Sequence, residues 1–228
     1  MPSTLRRPRG RGERAGLDLG TILEAARRFE PNALTMQSVA DVLGVDRKAL
    51  NYHVSSRENL LDLVAEEIFR EEFSAVRIEP DAAWSDACRT YALGFARAVI
   101  AAGSLGSRLR ITGLSATQLL KPAEALLGKL IAAGADDATA LRLLVLLSNT
   151  ALSHALDASL AAGEGERPRP RFLRQSLREA PGEQFDHLAR IAADSIDTYG
   201  PEQLEFAISV VVGGAVQLLG ASDPARVS

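Results

Sequence analysis

The sequence is poor in the residues that build covalent or metal chemistry. Its 228 residues include one cysteine, Cys88, so no disulfide can form within the chain and a cysteine-based zinc cluster is excluded. The three histidines, His53, His154 and His187, stand far apart, and no HExxH pattern occurs. There is no glycine-rich phosphate loop and no G-x-S-x-G nucleophile motif; the sequence therefore lacks the common enzyme signatures. No enzymatic activity, cofactor or metal is expected. No apolar run reaches the ~18 residues of a membrane span. The nearest, residues 206–219, is interrupted by Ser209 and Gln217, so no membrane partner is expected. The basic N-terminus is not followed by an apolar core, so no secretory signal is expected and the cytoplasm is the default location.

What is present is a globular composition, 46% hydrophobic and 24% charged, long enough to bury a core without staples. The net charge of −3 divides unevenly: residues 1–60 carry +3 and the remainder −6. A basic head on an acidic body fits a protein whose head alone meets a polyanion. Ordinary scatter of surface charge would look the same, and charge by itself leaves both open. Only Lys48, Lys121 and Lys129 among the 26 basic residues are lysines, a bias without functional weight.

The hydrophobic pattern is helical nearly throughout, and no stretch alternates with period two,. The expected fold class is all-α: an N-terminal three-helix helix-turn-helix domain plus a larger helical ligand-binding and dimerisation domain. Residues 1–16 hold five arginines among Pro and Gly and are expected to be a disordered basic arm. Residues 17–62 are expected to form the small domain and 63–228 the body. Leu19, Ile22, Leu23, Ala26 and Phe29 share one face of a first helix, which Pro31-Asn32 stops,. Thr35 is a plausible N-cap for a short helix with Val39, Ala40 and Leu43,. Gly44 suits a left-handed helix end. Asp46 can cap another short helix to about Val54. Ser55 with Glu58 reads as a capping box opening a longer helix,.

Short helices joined by a glycine turn form a helix-turn-helix signature. Val39, Ala40 and Leu43 must meet Val45 and Leu50 across the turn, and the small Ala40 lets the axes approach. The second helix can then present Arg47, Lys48, Asn51 and Tyr52 to a major groove. Residues 34–65, LTMQSVADVLGVDRKALNYHVSSRENLLDLVA, resemble the DNA-binding module of the tetracycline-repressor (TetR) family. The resemblance rests on Leu43-Gly44-Val45, on Leu50-Asn51-Tyr52-His53-Val54, on Arg57-Glu58 and on Leu60-Leu61. It covers roughly residues 18–65; beyond that the chain agrees in architecture. The terminal PEQLEFAISVVVGG is similar to the last helix of the tetracycline-repressor subgroup.

The resemblance implies a transcriptional regulator, expected to be a repressor released from a palindromic double-stranded DNA operator by a small-molecule effector. Gln37 and Arg47 become candidates for reading bases. Lys48, Tyr52 and His53 are expected at phosphates, with Thr35 and Arg57 flanking. The sequence departs from the family at Asn51, where many members carry an aromatic residue. Asn51 can pair bidentately with adenine, or it can simply be exposed. His53 can equally pack against the next helix. Arg57 sits at a helix N-terminus, where backbone N–H groups favour a phosphate.

In the body, residues 136–162 read as one long helix, apolar on most faces, and a last helix opens at Pro201,. A further helix is expected from about Ser115, and residues 163–171, GEGERPRPR, are expected to be a loop,. The runs Leu141–Leu147 and Ile208–Val212 leave almost no polar face. Helices of this kind need burial on every side, which a second copy in a homodimer would complete. The alternative is that both lie at the centre of one chain. Asn149, Ser153 and His154 are polar residues on an otherwise apolar helix, and Trp84, Tyr91 and Phe95 form an aromatic stripe. These six are the candidates for an effector pocket; Asn149 and Ser153 could equally be satisfied inside a dimer seam. The competing class is a helical small-molecule-binding or scaffold protein without DNA binding.

Overall fold

The computed structural model describes residues 17–109, 117–162, 167–180, 185–194 and 196–221. Among these the chain forms ten α-helices and one 3-10 helix, and no strand. The expected arginine arm and the expected helix start near Ser115 lie outside the described residues. The chain divides into two units, Met1–Val64 and Ala65–Ser228.

The first unit contains α1 (Leu19–Ala26), α2 (Met36–Leu43), α3 (Arg47–His53) and the opening of α4 (Arg57–Ser74). Each short helix is held at its ends, where four N–H groups would otherwise lack partners. The Asp18 carboxylate accepts the Thr21 N–H at 2.7 Å, which holds its pKa below the ordinary carboxylate value. Thr35 and Ser38 form a reciprocal capping box on α2,. Gly44 closes α2 at φ 65°, and the Val45 N–H returns to the Ala40 carbonyl at 3.1 Å, a Schellman-type stop that L side chains disfavour. Asp46 caps α3 through the Lys48 N–H at 2.7 Å. The cap of α4 is Ser56 rather than Ser55, because its hydroxyl accepts the Asn59 N–H at 3.1 Å. Ser55 instead stands outside the first turn and donates to the Asn59 side chain. Ile22, Leu34, Val39, Ala40, Leu50, Val54 and Leu60 are fully enclosed, so the unit closes on a small core of its own.

The second unit contains the rest of α4, then α5 (Trp84–Ala101), a 3-10 turn (Gly103–Arg108), α6 (Thr117–Ala132), α7 (Asp137–Leu160), α8 (Pro168–Glu179), α9 (Asp186–Ala193) and α10 (Pro201–Ala221). Helix α5 is central; it packs on α6, α7 and α10. Its aromatic stripe meets Phe69 and Phe73 of α4: Phe69 and Phe95 lie edge to face at 5.1 Å, Phe73 and Tyr91 at 5.5 Å. Gly94 lets α5 seat Val76, since a Cβ there would fall 2.4 Å from a Val76 methyl. Residues 163–171 were expected to be a loop, but α8 begins at Pro168. The prolines at 168 and 170 fall in its first turn, where their missing N–H groups have no helical partner to lose. Helices α8 and α9 pack on each other, and α8 buries no residue fully.

Helices α7 and α10 are long and apolar enough to cross a membrane by length and composition, each with a window of mean hydropathy 1.3. One side of each packs in the helical body through Leu143, Leu147 and Ala151 on α7 and Leu204, Ile208 and Ala215 on α10. The other sides stay open: Leu146 is 48% exposed, Phe206 64% and Val210 58%. Neither helix is therefore enclosed at the centre of a single chain.

Candidate nucleic-acid interface and body cleft

In the first unit, α3 is anchored from beneath by Leu50, which is fully buried, and Val54 closes its end. Every other residue of α3 is exposed. Arg47, Lys48, Asn51, Tyr52 and His53 therefore form one continuous outer surface, and Tyr52 is 88% exposed. His53 does not pack into the core; its ring meets that of Tyr52 edge to face at 5.4 Å. Gln37 is exposed on α2, and its amide donates to the Asp41 carboxylate at 2.7 Å. Thr35 is exposed, with its hydroxyl committed to the α2 cap.

Arg57 is placed differently. Its Nε donates to the Leu34 carbonyl at 2.7 Å and one Nη to the Pro31 carbonyl at 2.8 Å. A second Nη lies 3.5 Å from the Glu58 carboxylate, and the side chain is 34% exposed. The guanidinium fork thus ties the start of α4 to the loop that leads into the α2 cap. The sequence held a signal for this: a proline in the α1–α2 loop and carbonyls with no helix to satisfy them need a donor from elsewhere.

In the second unit, Asn149, Ser153 and His154 come together in one cleft of about 610 Å³. The cleft runs between α7 and α10 and reaches Arg169 and Thr198. Burial holds the His154 pKa below its ordinary value, opposed by the Asp157 carboxylate. Arg169 pairs with Asp157, points toward Thr198 and lies over the Tyr199 ring at 4.6 Å. Asp157 follows Asn149 and Ser153 at i, i+4, i+8 on α7, whereas Arg169, Thr198 and Gln203 were not among the sequence candidates, since they lie outside α7 and no periodicity links them to it. Trp84, Tyr91 and Phe95 do not join this cleft. Tyr91 and Phe95 are buried in the aromatic core, and Trp84 is half-buried against it. The Tyr91 hydroxyl pairs with Ser148 at 3.0 Å, and burial raises its pKa. A smaller cleft lies on the other side of His154, bounded by Leu93, Arg97 and Glu205. At its edge Arg89 grips Glu205 through two bonds of 2.8 and 2.6 Å. Among the described residues no group of His, Cys, Asp and Glu is arranged to hold a metal.

This arrangement of helices has close counterparts among solved structures. A possible TetR family transcriptional regulator from Streptomyces coelicolor A3(2) superposes with a TM-score of 0.69 at 23% identity, over 88% of this chain and 100% of that one. The chain has the fold of TetR-family regulators. The Streptomyces coelicolor TetR family protein ActR, in complex with (S)-DNPA, gives a TM-score of 0.69 at 22% identity over 88% of this chain and 98% of its own. TetR from Acinetobacter baumannii AYE gives 0.58 at 21% identity, over 89% and 98%. No family model matches the sequence.

Proposed function

We propose that this chain is a DNA-binding transcriptional regulator which pairs with a second copy, binds a palindromic operator in the cytoplasm and is released from it by a small-molecule effector. The observation that carries the reading is the outer surface of α3. Five polar or aromatic side chains project from a helix whose one inward residue, Leu50, is fully buried. A short helix so anchored fits a major groove and can reach base edges. Arg47 and Asn51 read bases, joined by Gln37 once its amide leaves Asp41. Lys48, Tyr52, His53 and Thr35 lie at phosphates. Arg57 serves the same surface by bracing the loop before α2, because two of its N–H donors are committed to the Leu34 and Pro31 carbonyls.

One such module contacts too few bases for genomic specificity, and two modules about one helical turn apart read a palindrome. The open apolar sides of α7 and α10 support that pairing. Leu141, Val145, Leu146, Phe206 and Val210 would otherwise stay in water, and exposed patches of this kind mark interaction surfaces. Gly213 and Gly214 are exposed on α10 with no neighbouring atom near either, which leaves room for a close helix. An effector in the body acts by favouring a spacing of the two modules that no longer fits the duplex. Solved relatives in complex with small molecules, among them ActR with actinorhodin, support that part by analogy.

The test is binding to a labelled duplex covering the DNA upstream of the chain's own gene, compared with a random duplex, over a range of salt. The expected result is tighter binding to the upstream duplex and affinity that falls steeply with salt, with a log–log slope of about −0.9 per phosphate neutralised. Equal, weak binding to both would leave a helical small-molecule-binding or scaffold protein.

A further inference from the structure

The cleft between α7 and α10 carries chemistry that narrows what it can hold. Its lining contains one cation and one anion, and they are spent on each other. Arg169 pairs with Asp157, turns to Thr198 and stacks over Tyr199. Breaking that arrangement to receive a carboxylate would leave Asp157 beside the newcomer as a like charge. Receiving an ammonium ion would leave Arg169 in the same position. Either change carries a cost that a neutral ligand avoids.

The remaining polar groups are neutral and available. Asn149, Ser153, His154 and Gln203 make no side-chain hydrogen bond to any described residue. Between them they offer two amides, a hydroxyl and an imidazole. Burial disfavours the His154 cation, with the Asp157 carboxylate opposing. Leu204 and Ala207 supply an apolar wall. A cleft of about 610 Å³ with an apolar wall and a few convergent polar groups has the size and make-up of a small-molecule site.

We propose that this cleft binds an uncharged, hydrogen-bonding small molecule through Asn149, Ser153, His154 and Gln203, and selects against carboxylates and ammonium ions of the same shape. The assignment rests on the effector reading above and names the ligand class for it. The aromatic core around Phe73, Tyr91 and Phe95 is not the site, since those rings already fill the space between α4 and α5.

Three probes of one shape test it: 1-naphthamide, 1-naphthoate and 1-naphthylmethylammonium, each titrated into the full chain at neutral pH by ligand-observed NMR. The expected result is 1-naphthamide binding at least about ten-fold more tightly than either ion, a ratio worth about 1.4 kcal/mol. Gln203→Leu and His154→Leu should each weaken 1-naphthamide several-fold while leaving the helical circular dichroism spectrum and binding to the upstream duplex unchanged. Equal or tighter binding of either ion overturns the proposal. So does no binding of 1-naphthamide, the outcome if Asn149 and Ser153 serve only as polar contacts between paired chains. Binding that survives both substitutions overturns it too. A wild-type chain that fails to bind the upstream duplex defeats the regulator reading, and the three titrations still decide the ligand class.

Discussion

The two units put unlike surfaces in water. The first exposes a polar helix, α3, over a core sealed by Leu50 and Val54. The second exposes the apolar flanks of α7 and α10 over a core built around α5. A polar outer face is stable as it stands, so α3 can wait for a partner without aggregating. An apolar outer face stays costly until covered, at roughly 25 cal/mol per Å², and for that reason the proposed pairing is assigned to α7 and α10. The difference separates a surface suited to transient, charge-assisted binding from one suited to lasting association.

The largest expected effect comes from making the second surface resemble the first. Leu146→Glu with Val210→Glu places charges on both open flanks and leaves α3 untouched. In light scattering the double variant should have the mass of one chain at concentrations where the wild type is paired. Its affinity for the upstream duplex should fall toward the non-specific level, on the order of a thousand-fold or more. A paired double variant would show that the flanks are not the seam. The next effect is on the first unit alone. Leu50→Ala removes the anchor beneath α3 and should cost about 2–5 kcal/mol. A core this small would lose much of its stability, while pairing through α7 and α10 persists. Thermal unfolding followed by circular dichroism, with light scattering beside it, separates the two.

Within α3's surroundings, two side chains that look alike in sequence should behave differently. Asn51→Ala should cost roughly 1–3 kcal/mol on the upstream duplex and little on random DNA, because only a base contact is lost. Arg57 donates into Pro31 and Leu34, so its loss should loosen the α2 cap rather than remove a phosphate contact. Arg57→Lys keeps the charge but not the two-pronged fork, and should weaken binding to both duplexes about as much as Arg57→Ala, with the salt slope unchanged. Full rescue by lysine, or a slope shallower by about one unit in Arg57→Ala, would return Arg57 to the phosphates.

The two units were also unequally legible. The first is governed by local rules, and local rules are written in short strings. Thr35, Gly44 and Asp46 each act within a few residues of themselves, so their capping and turn roles could be read directly. The slips are small: the capping serine of α4 is Ser56 rather than its neighbour Ser55, and α1 ends at Ala26, short of Phe29. The second unit is governed by contacts distant in sequence. That Asn149, Ser153 and His154 share a cleft followed from their spacing on α7. That Arg169, Thr198 and Gln203 complete it did not, since it depends on how α8 and α10 return to α7. Tyr91 and Phe95 looked like pocket residues because an aromatic stripe has the same periodicity whether it lines a cavity or fills one. Proline misled at residues 168 and 170, where it opens α8 instead of excluding a helix.

The smallest expected effect uses the only cysteine as a reporter on the second unit. Cys88 is buried on α5, and burial pushes its thiol up to about 11. Only the thiolate attacks thiol reagents, so both access and ionisation protect it. In the native chain at pH 8 labelling by a thiol reagent should be negligible. Leu50→Ala should leave it so, because the damage stays in the other unit. Gly94→Ala forces a methyl against Val76, an overpacking cost of about 1–3 kcal/mol, and should speed labelling by raising the open population of the body. If Leu50→Ala accelerates labelling as much as Gly94→Ala, the two units unfold together, and the separation of a transient surface from a lasting one must be abandoned at the level of stability.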